Sequence, residues 1–188
     1  MASTAGAIQH QHPPLELKLL IDRYSVLRFD PACTPLGMLT KVISSTTTTS
    51  SSSVVSRSTS LVNISITPAE ISVVLPTAAI LQDAEFHPQA VENGWLAFRV
   101  EPPTGGQGID FGVVGIMAAI SGVLAKADIS LFAVSTFDTD YILVKEDRVA
   151  VAVKALREHA CAVRLEEPGN VQWSAVGVCG FNDVDPSS

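Results

Sequence analysis

YSVLRFDP at residues 24–31 and WLAFRVEP at residues 95–102 decide the fold, because they are two copies of one pattern. Each copy starts with an aromatic residue and has an apolar residue at its fourth place. Arg, an apolar residue, an acidic residue and Pro then complete it. A second pair, SITPAEISVVLP (65–76) and STFDTDYILVKE (135–146), matches without a gap in the same chain order. The two pairs are separated by nearly equal intervals of 71 and 70 residues, which predicts a tandem duplication.

The second copy has the more regular pattern of apolar residues. Alternating and helical periodicities there predict the order β-α-β-β-α-β, which is the split βαβ unit of the ferredoxin-like class. Its predicted elements are a strand at 95–100, a helix at 113–127, strands at 129–136 and 140–145, a helix at 147–160 and a strand at 162–166. We therefore predict an α+β fold with two ferredoxin-like βαββαβ units in tandem, in which antiparallel sheets carry helices on one face.

The first copy is less regular. We predict strands at 15–21 and 24–29, a short helix at 35–43, strands at 61–66 and 70–75, and a short helix from Pro76. Residues 44–60 are almost entirely Ser, Thr and Val. Such a stretch has little apolar surface to bury against the entropy of ordering, so we expect a flexible surface loop.

The domain organisation follows from these elements. We predict a disordered leader at 1–13, a first unit at 14–82 that contains the Ser/Thr-rich insert 44–60, and a linker at 83–94. A second unit with an additional C-terminal strand (171–181) is expected at 95–181, followed by a tail at 182–188.

Composition excludes several classes of partner. Hydrophobic residues are 47% and charged residues 16% of the 188, which is typical of a globular protein. The formal net charge of −7 repels phosphate, so we expect no nucleic-acid partner and no membrane partner. The N-terminus lacks the basic and apolar regions of a signal peptide, and three cysteines without a CxxC pair suit a reducing compartment. A cytoplasmic location is predicted.

The glycine-rich loop at 104–112 was weighed as a nucleotide site. Its glycines give GxGxxxG, which is one residue longer than the dinucleotide fingerprint, and no Lys or Arg lies between Arg99 and Lys126. We therefore predict no nucleotide and no other cofactor. Flexibility alone can explain these glycines, but the loop also precedes a helix whose free backbone N–H groups can bind a carboxylate.

Carboxylates and other reactive side chains give one candidate. Asp138 is explained as a turn former. Asp140 opens a strand, and its partner in the ungapped repeat alignment, Glu70, keeps the negative charge, so Asp140 is the better candidate to bind an ammonium group. No metal-ligand spacing, nucleophile motif or pair of catalytic carboxylates is present, so we predict neither a metal site nor enzymatic activity.

Three motifs carry a resemblance to a known family: YSVLRF (24–29), SITPAEISVVLP (65–76) and the stretch from Phe111 to Asp147. The last contains a Gly before the first helix, a helix of small residues, and Ser-Thr-Phe-x-x-Asp before an apolar strand. These residues resemble the ACT-domain family of regulatory modules, and within it the CASTOR-like branch of cytosolic arginine sensors, in a two-ACT form of fungal or bacterial type. The resemblance covers residues 15–166, and the tract at 44–60 departs from it.

The resemblance implies that a free amino acid binds at the interface between ACT units. The glycine loop would offer backbone N–H groups to the α-carboxylate, the strand end would face the ligand with Asp140 on a cationic group, and the first unit would line the opposite wall. The implied ligand-binding residues are Phe111, Gly112, Val113, Val114, Gly115, Ile116, Thr136, Phe137, Asp140, Ser65, Ile66 and Thr67.

The functional hypothesis is a sensor whose occupancy alters its assembly with a partner, either a second copy in a homodimer or another protein. The net charge and the resemblance favour a basic ligand such as arginine or lysine. Two alternatives stay open at this point: a ligand-free structural or dimerisation module, and a regulatory subunit of an amino-acid biosynthetic enzyme.

Overall fold

The computed structural model describes residues 15–32, 61–80, 87–101, 115–159 and 161–165, together with Gly37 and Thr40. Within these residues the strands are β1 (Glu16–Phe29), β2 (Asn63–Ile66), β3 (Ile71–Pro76), β4 (Ala90–Glu101), β5 (Leu131–Ser135), β6 (Asp140–Lys145) and β7 (Ala162–Leu165). The helices are α1 (Thr77–Ile80), α2 (Ile116–Lys126) and α3 (Val149–Glu158), and a 3-10 turn at Glu146–Arg148 precedes α3.

Several predicted segments cannot be compared with the structure. The leader 1–13, the Ser/Thr-rich insert 44–60, the strand 171–181 and the tail 182–188 lie outside the described residues. Of the helix predicted at 35–43, only Gly37 and Thr40 are described, and both are helical.

The described strands form one sheet in the order β2-β3-β1-β4-β6-β5, with β7 added beside β1. The order is symmetric about the central pair of β1 and β4, which run antiparallel. Tyr24 lies directly opposite Trp95 in this pair, so the first residues of the two repeated motifs meet at the centre of the sheet. The sheet is antiparallel apart from the parallel pair of β1 and β7, as expected for the ferredoxin-like class.

The sheet register confirms the first repeat alignment and corrects the second. Arg28 pairs with Ser72 on β3, as Arg99 pairs with Tyr141 on β6. Arg28 and Arg99 are therefore equivalent, at the predicted interval of 71 residues. Ser72 and Tyr141 are equivalent by the same test, however, and they are 69 residues apart, not 70. Because neighbouring strand residues face opposite sides of a sheet, this one-residue error changes which side chains correspond.

β1 is one strand and not the two that the break near Asp22 and Arg23 predicts. The break is a bulge: four residues from Leu19 to Arg23 oppose two from Phe98 to Leu96. The bulge lets one continuous strand serve both halves of the sheet. Residues 24–29 pair with β3, whereas residues 16–19 pair with the end of β4 on one side and with β7 on the other.

The second unit is therefore not closed by its own fourth strand. The autonomous β-α-β-β-α-β unit predicted at 95–166 requires β7 to pair with β4, but residues 16–19 of β1 occupy that place. The converse holds in the first unit, where residues 90–92 of β4 pair with residues 26–28 of β1. The predicted linker 83–94 thus includes the first five residues of β4.

The helices lie on one face of the sheet, as predicted. Ile120, Val123 and Leu124 of α2 are buried in one cluster with Leu156 of α3 and Phe98 of β4. A smaller cluster on the same face joins α1 to β1 and β3. Burial of each such aliphatic side chain contributes about 1.5–3 kcal/mol, so this face supplies most of the apolar stabilisation.

The opposite face carries its own apolar cluster, to which the alternate residues of the same strands contribute. Leu20 and Tyr24 of β1, Ala97 of β4 and Leu143 of β6 are buried there. The described helices do not contribute to this cluster, and we call this side of the sheet the helix-free face.

Candidate functional site

The turn between β5 and β6 is built by a threonine that bonds across it. Thr136 donates from its backbone N–H and its hydroxyl to the carbonyl oxygen of Thr139, at 2.8 and 2.9 Å, and its hydroxyl accepts from the Thr139 N–H at 3.2 Å. Thr67 makes the same bonds with Glu70 in the turn between β2 and β3. Both threonines were predicted to face a ligand, but in the structure each hydroxyl serves its own turn.

Thr139 fastens the β5–β6 turn to the centre of the sheet. It is buried, and its hydroxyl donates a short hydrogen bond to the carbonyl oxygen of Val100 near the end of β4. The turn is thereby held beside the point at which the chain leaves β4 for α2. The sequence reasoning missed this residue, because Thr139 was taken only as the middle of an Asp-Thr-Asp turn. A threonine just before an apolar strand was the available signal.

Asp140 is half-buried at the start of β6 and pairs with Ser135 across the hairpin. It alternates with Ile142 and Val144, which belong to the helix-side cluster, so Asp140 lies on the helix side of the sheet. Within the described part of the chain, no hydrogen-bond or ion-pair partner of its carboxylate is observed. At the corrected interval its equivalent is Ile71, which is buried in the first unit. The carboxylate is therefore particular to the second unit, and the predicted pairing with Glu70 is wrong.

The start of α2 lies at the same end of the sheet as this hairpin. Leu131, which follows α2 closely, pairs with Val144 at the far end of β6. α2 has 11 residues and spans about 16 Å, much as the five residues of β5 do. Since β5 returns over that length to the hairpin, the N-terminus of α2 must lie near the hairpin. Gly115 precedes it with φ 87°, a left-handed conformation, and no side chain caps the helix.

The structure thus brings the described members of the second-unit set to one end of the sheet. These are Gly115 and Ile116 at the helix start and Thr136, Phe137 and Asp140 at the hairpin. Phe137 is 81% exposed at the tip of the turn, so it can reach a ligand or a neighbouring unit. The other predicted members, Phe111, Gly112, Val113 and Val114, lie outside the described residues.

Ser65, Ile66 and Thr67 do not face this site within one chain, so their predicted place on its opposite wall is wrong for a single molecule. They lie on and after β2, at the other edge of the sheet and five strand spacings from β5, which is about 24 Å. Their turn is also at the opposite end, beside Phe29, whereas the second turn is beside the Glu16 end of β1. Ile66 is 65% exposed there.

The electrostatics of the site rest on unpaired groups. The helix start offers N–H groups without a capping side chain, and Asp140 offers a carboxylate on the same side of the sheet. Such a pair is complementary to a zwitterion. No group of three or more potential metal ligands occurs in the described ranges. Nor is any of the described helices long and apolar enough to cross a membrane.

Comparison with known proteins agrees with this placement. Residues 90–158 match the ACT domain, from the first residue of β4 to the last residue of α3. The chain is 32% identical over 145 residues to the human cytosolic arginine sensor for mTORC1 subunit 1, an alignment that covers 72% of this chain and 43% of that protein. The orangutan (Pongo abelii) protein of the same name is 31% identical with the same coverage. The chain therefore spans less than half the length of these relatives.

A solved structure supports the fold alone. A protein of Agobacterium tumefaciens superposes with a TM-score of 0.60 at 23% identity, covering 86% of this chain and all of that one. The chain thus shares its described architecture with a protein of similar extent.

Proposed function

We propose that this chain, whose residues 90–158 match the ACT domain, is a cytoplasmic regulatory protein that binds a free amino acid at the hairpin end of its second unit. It acts as a sensor and not as an enzyme. The observation that carries the proposal is the juxtaposition of an uncapped helix start with a half-buried carboxylate, Asp140, on the helix side of one sheet end. The similarity to arginine sensors supports the same ligand class.

The chemistry of recognition follows from the two groups. Backbone N–H groups at the start of α2 bind the α-carboxylate, while Asp140 binds the α-ammonium or a cationic side chain. A basic amino acid such as arginine or lysine is favoured because the protein carries a net charge of −7.

The opposite wall of the site is contributed by another ACT unit. The first-unit residues Ser65, Ile66 and Thr67 are too distant in the same molecule, so they take part only if a second copy brings them there. Ligand binding would then tie the exposed Phe137 hairpin to that copy and alter assembly with a partner.

Calorimetric titration of the full chain with each of the twenty amino acids tests the proposal. We expect heat with at least one of them, and we expect Asp140→Asn to weaken that binding about 10- to 100-fold, which corresponds to the loss of a charged hydrogen bond. Glu70→Gln is the matched control, since it removes a carboxylate beside the equivalent turn of the first unit and leaves the second unit intact.

No heat with any amino acid would overturn the sensor proposal and favour the structural alternative. Equal losses in Asp140→Asn and Glu70→Gln would show that the effect is general charge and not the site. Light scattering with and without the ligand tests the assembly step separately.

A further inference from the structure

Three basic residues lie side by side on the helix-free face of the sheet. Arg164 of β7 pairs with Lys18 of β1, and Lys18 pairs with Arg99 of β4. The next residue in this row is Tyr141 of β6, opposite Arg99. Because residues directly opposite each other project from the same face, the row places two guanidinium groups, an ammonium group and a phenol next to one another. We call these four residues the basic row.

The basic row belongs to the helix-free face because of its alternation with buried residues. Arg99 is two residues from Ala97, and Tyr141 is two residues from Leu143; both Ala97 and Leu143 are buried in the helix-free cluster. Asp140 lies on the other side of the sheet, so the basic row is distinct from the amino-acid site proposed above.

Like charges directly opposite each other on neighbouring strands are destabilising, so the row has a cost that the fold does not require. Two carboxylates compensate it in part. Glu16 is 2.8 Å from the Nε of Arg164, and Glu101 is 3.6 Å from a terminal nitrogen of Arg99. Glu16 and Glu101 are themselves directly opposite each other. Two acids therefore flank three cations.

Arg99 is the least satisfied member of the row. Its Nε is buried and has no hydrogen-bond partner, and the ion pair with Glu101 exceeds hydrogen-bond length. Buried donors without partners are uncommon in folded proteins, and each requires an explanation such as a bound molecule. The Arg99 side chain as a whole is nevertheless 31% exposed, so a small group can reach it from solvent.

We propose that the basic row binds a small oxyanion, such as the carboxylate or phosphate group of a small molecule. A guanidinium donates two parallel hydrogen bonds to such a group, and the Nε of Arg99 is one of the donors that this geometry uses. Lys18 and Arg164 add charge on one side and the Tyr141 hydroxyl adds a donor on the other. The flanking carboxylates of Glu16 and Glu101 confine the anion to the row. This site is independent of the amino-acid site.

Burial also raises the pKa of Tyr141, so its phenol keeps its proton and remains a donor at neutral pH. The Arg99 charge opposes that shift to a lesser degree. An anion bound in the row therefore meets four donors and no ionised phenol.

The test uses NMR of the full chain during titration with inorganic phosphate and, separately, with succinate, at ionic strength held constant with sodium chloride. We expect saturable shifts of the Arg99 side-chain Nε–H resonance with at least one probe. Saturation by phosphate alone or by succinate alone identifies which oxyanion the row prefers, and either result supports the proposal.

Variants then locate the binding. Lys18→Gln and Arg99→Gln are each expected to weaken it at least fivefold. Lys126→Gln is the matched control, because Lys126 is an exposed lysine in the last turn of α2. Should Arg99→Gln fail to fold, Arg164→Gln decides, since that side chain is 71% exposed.

Two results would overturn the proposal. Resonance shifts no larger than those with sodium chloride alone would show that the row holds no specific anion. An equal loss of binding in Lys126→Gln would show only general screening of the protein's charge.

Discussion

Two glycines flanking and within α2 should respond to the same substitution with opposite signs. Gly115 has φ 87° and ψ −1°, and its carbonyl accepts the N–H of Ala119 at 2.9 Å, which starts the helical bonding. Gly122 lies inside the helix. A Cβ at either position would meet no atom within 4 Å, so packing is not the cause of either effect.

The magnitudes follow from backbone conformation alone. Alanine in the left-handed region costs about 1–2 kcal/mol, so Gly115→Ala is expected to destabilise by that amount. Alanine in a helix interior is about 0.5–1 kcal/mol better than glycine, so Gly122→Ala is expected to stabilise. For a chain of this size 1 kcal/mol changes Tm by about 2–4 °C. Gly115→Ala should therefore lower Tm by about 2–8 °C, and Gly122→Ala should raise it by about 1–4 °C.

Differential scanning calorimetry and urea unfolding of the two variants measure this directly. The two variants differ only in which glycine gains a methyl group, so each is the control for the other. Shifts of the same sign would refute the reasoning, because they would mean that the left-handed conformation at Gly115 is not what fixes the start of α2.

Three further substitutions test contacts of the described residues. Thr139→Val should cost about 1–3 kcal/mol, since it leaves the carbonyl of Val100 without its donor; an unchanged urea midpoint relative to wild type would contradict the anchoring role. Tyr24→Phe should also cost about 1–3 kcal/mol, because the buried tyrosine hydroxyl accepts the Leu61 N–H at 3.2 Å; amide exchange at Leu61 should accelerate with it. Arg23 lowers the pKa of Glu146 below its ordinary 4.5 by hydrogen bonding. The pair therefore stabilises the protein above pH 4.5, and its contribution is lost as pH falls through the lowered pKa. Both side chains are well exposed, at 50% and 36%, so the contribution is at most about 1 kcal/mol. Glu146→Gln should lose that amount at pH 7 and nothing more at pH 3, by urea unfolding.

The fold class was predictable because its evidence is periodic and repeated. The matched motifs YSVLRFDP and WLAFRVEP placed the two central strands correctly, and the helical spacing of Ile120, Val123 and Leu124 identified the buried side of α2. The ungapped second alignment failed by one residue, because the two hairpins have the same turn but strands of different length. A shared Ser and two acids outweighed the turn geometry in the sequence comparison.

The exchange of strand halves was not predictable from local pattern. Whether residues 16–19 pair with β3 or with the end of β4 depends on the bulge at Ile21 and Asp22. Apolar alternation is the same on either side of such a bulge. Similarly, the sequence identified Asp140 as a candidate, but it could not show that Ser65, Ile66 and Thr67 lie at the other edge of the sheet. That separation depends on the strand order.

The exchange makes the two halves of the chain depend on each other. The ACT match spans residues 90–158, but the core on which its helices pack also contains Leu17, Leu19 and Val163 from outside that range. Leu17 is completely buried there. Loss of β1 would therefore expose the core of the matched domain. β1 also continues without interruption into the first unit, where Leu27 and Phe29 anchor the smaller cluster. A displacement at the end of β4 must then be accommodated by a strand that the other unit also uses, because packed elements transmit strain and do not absorb it.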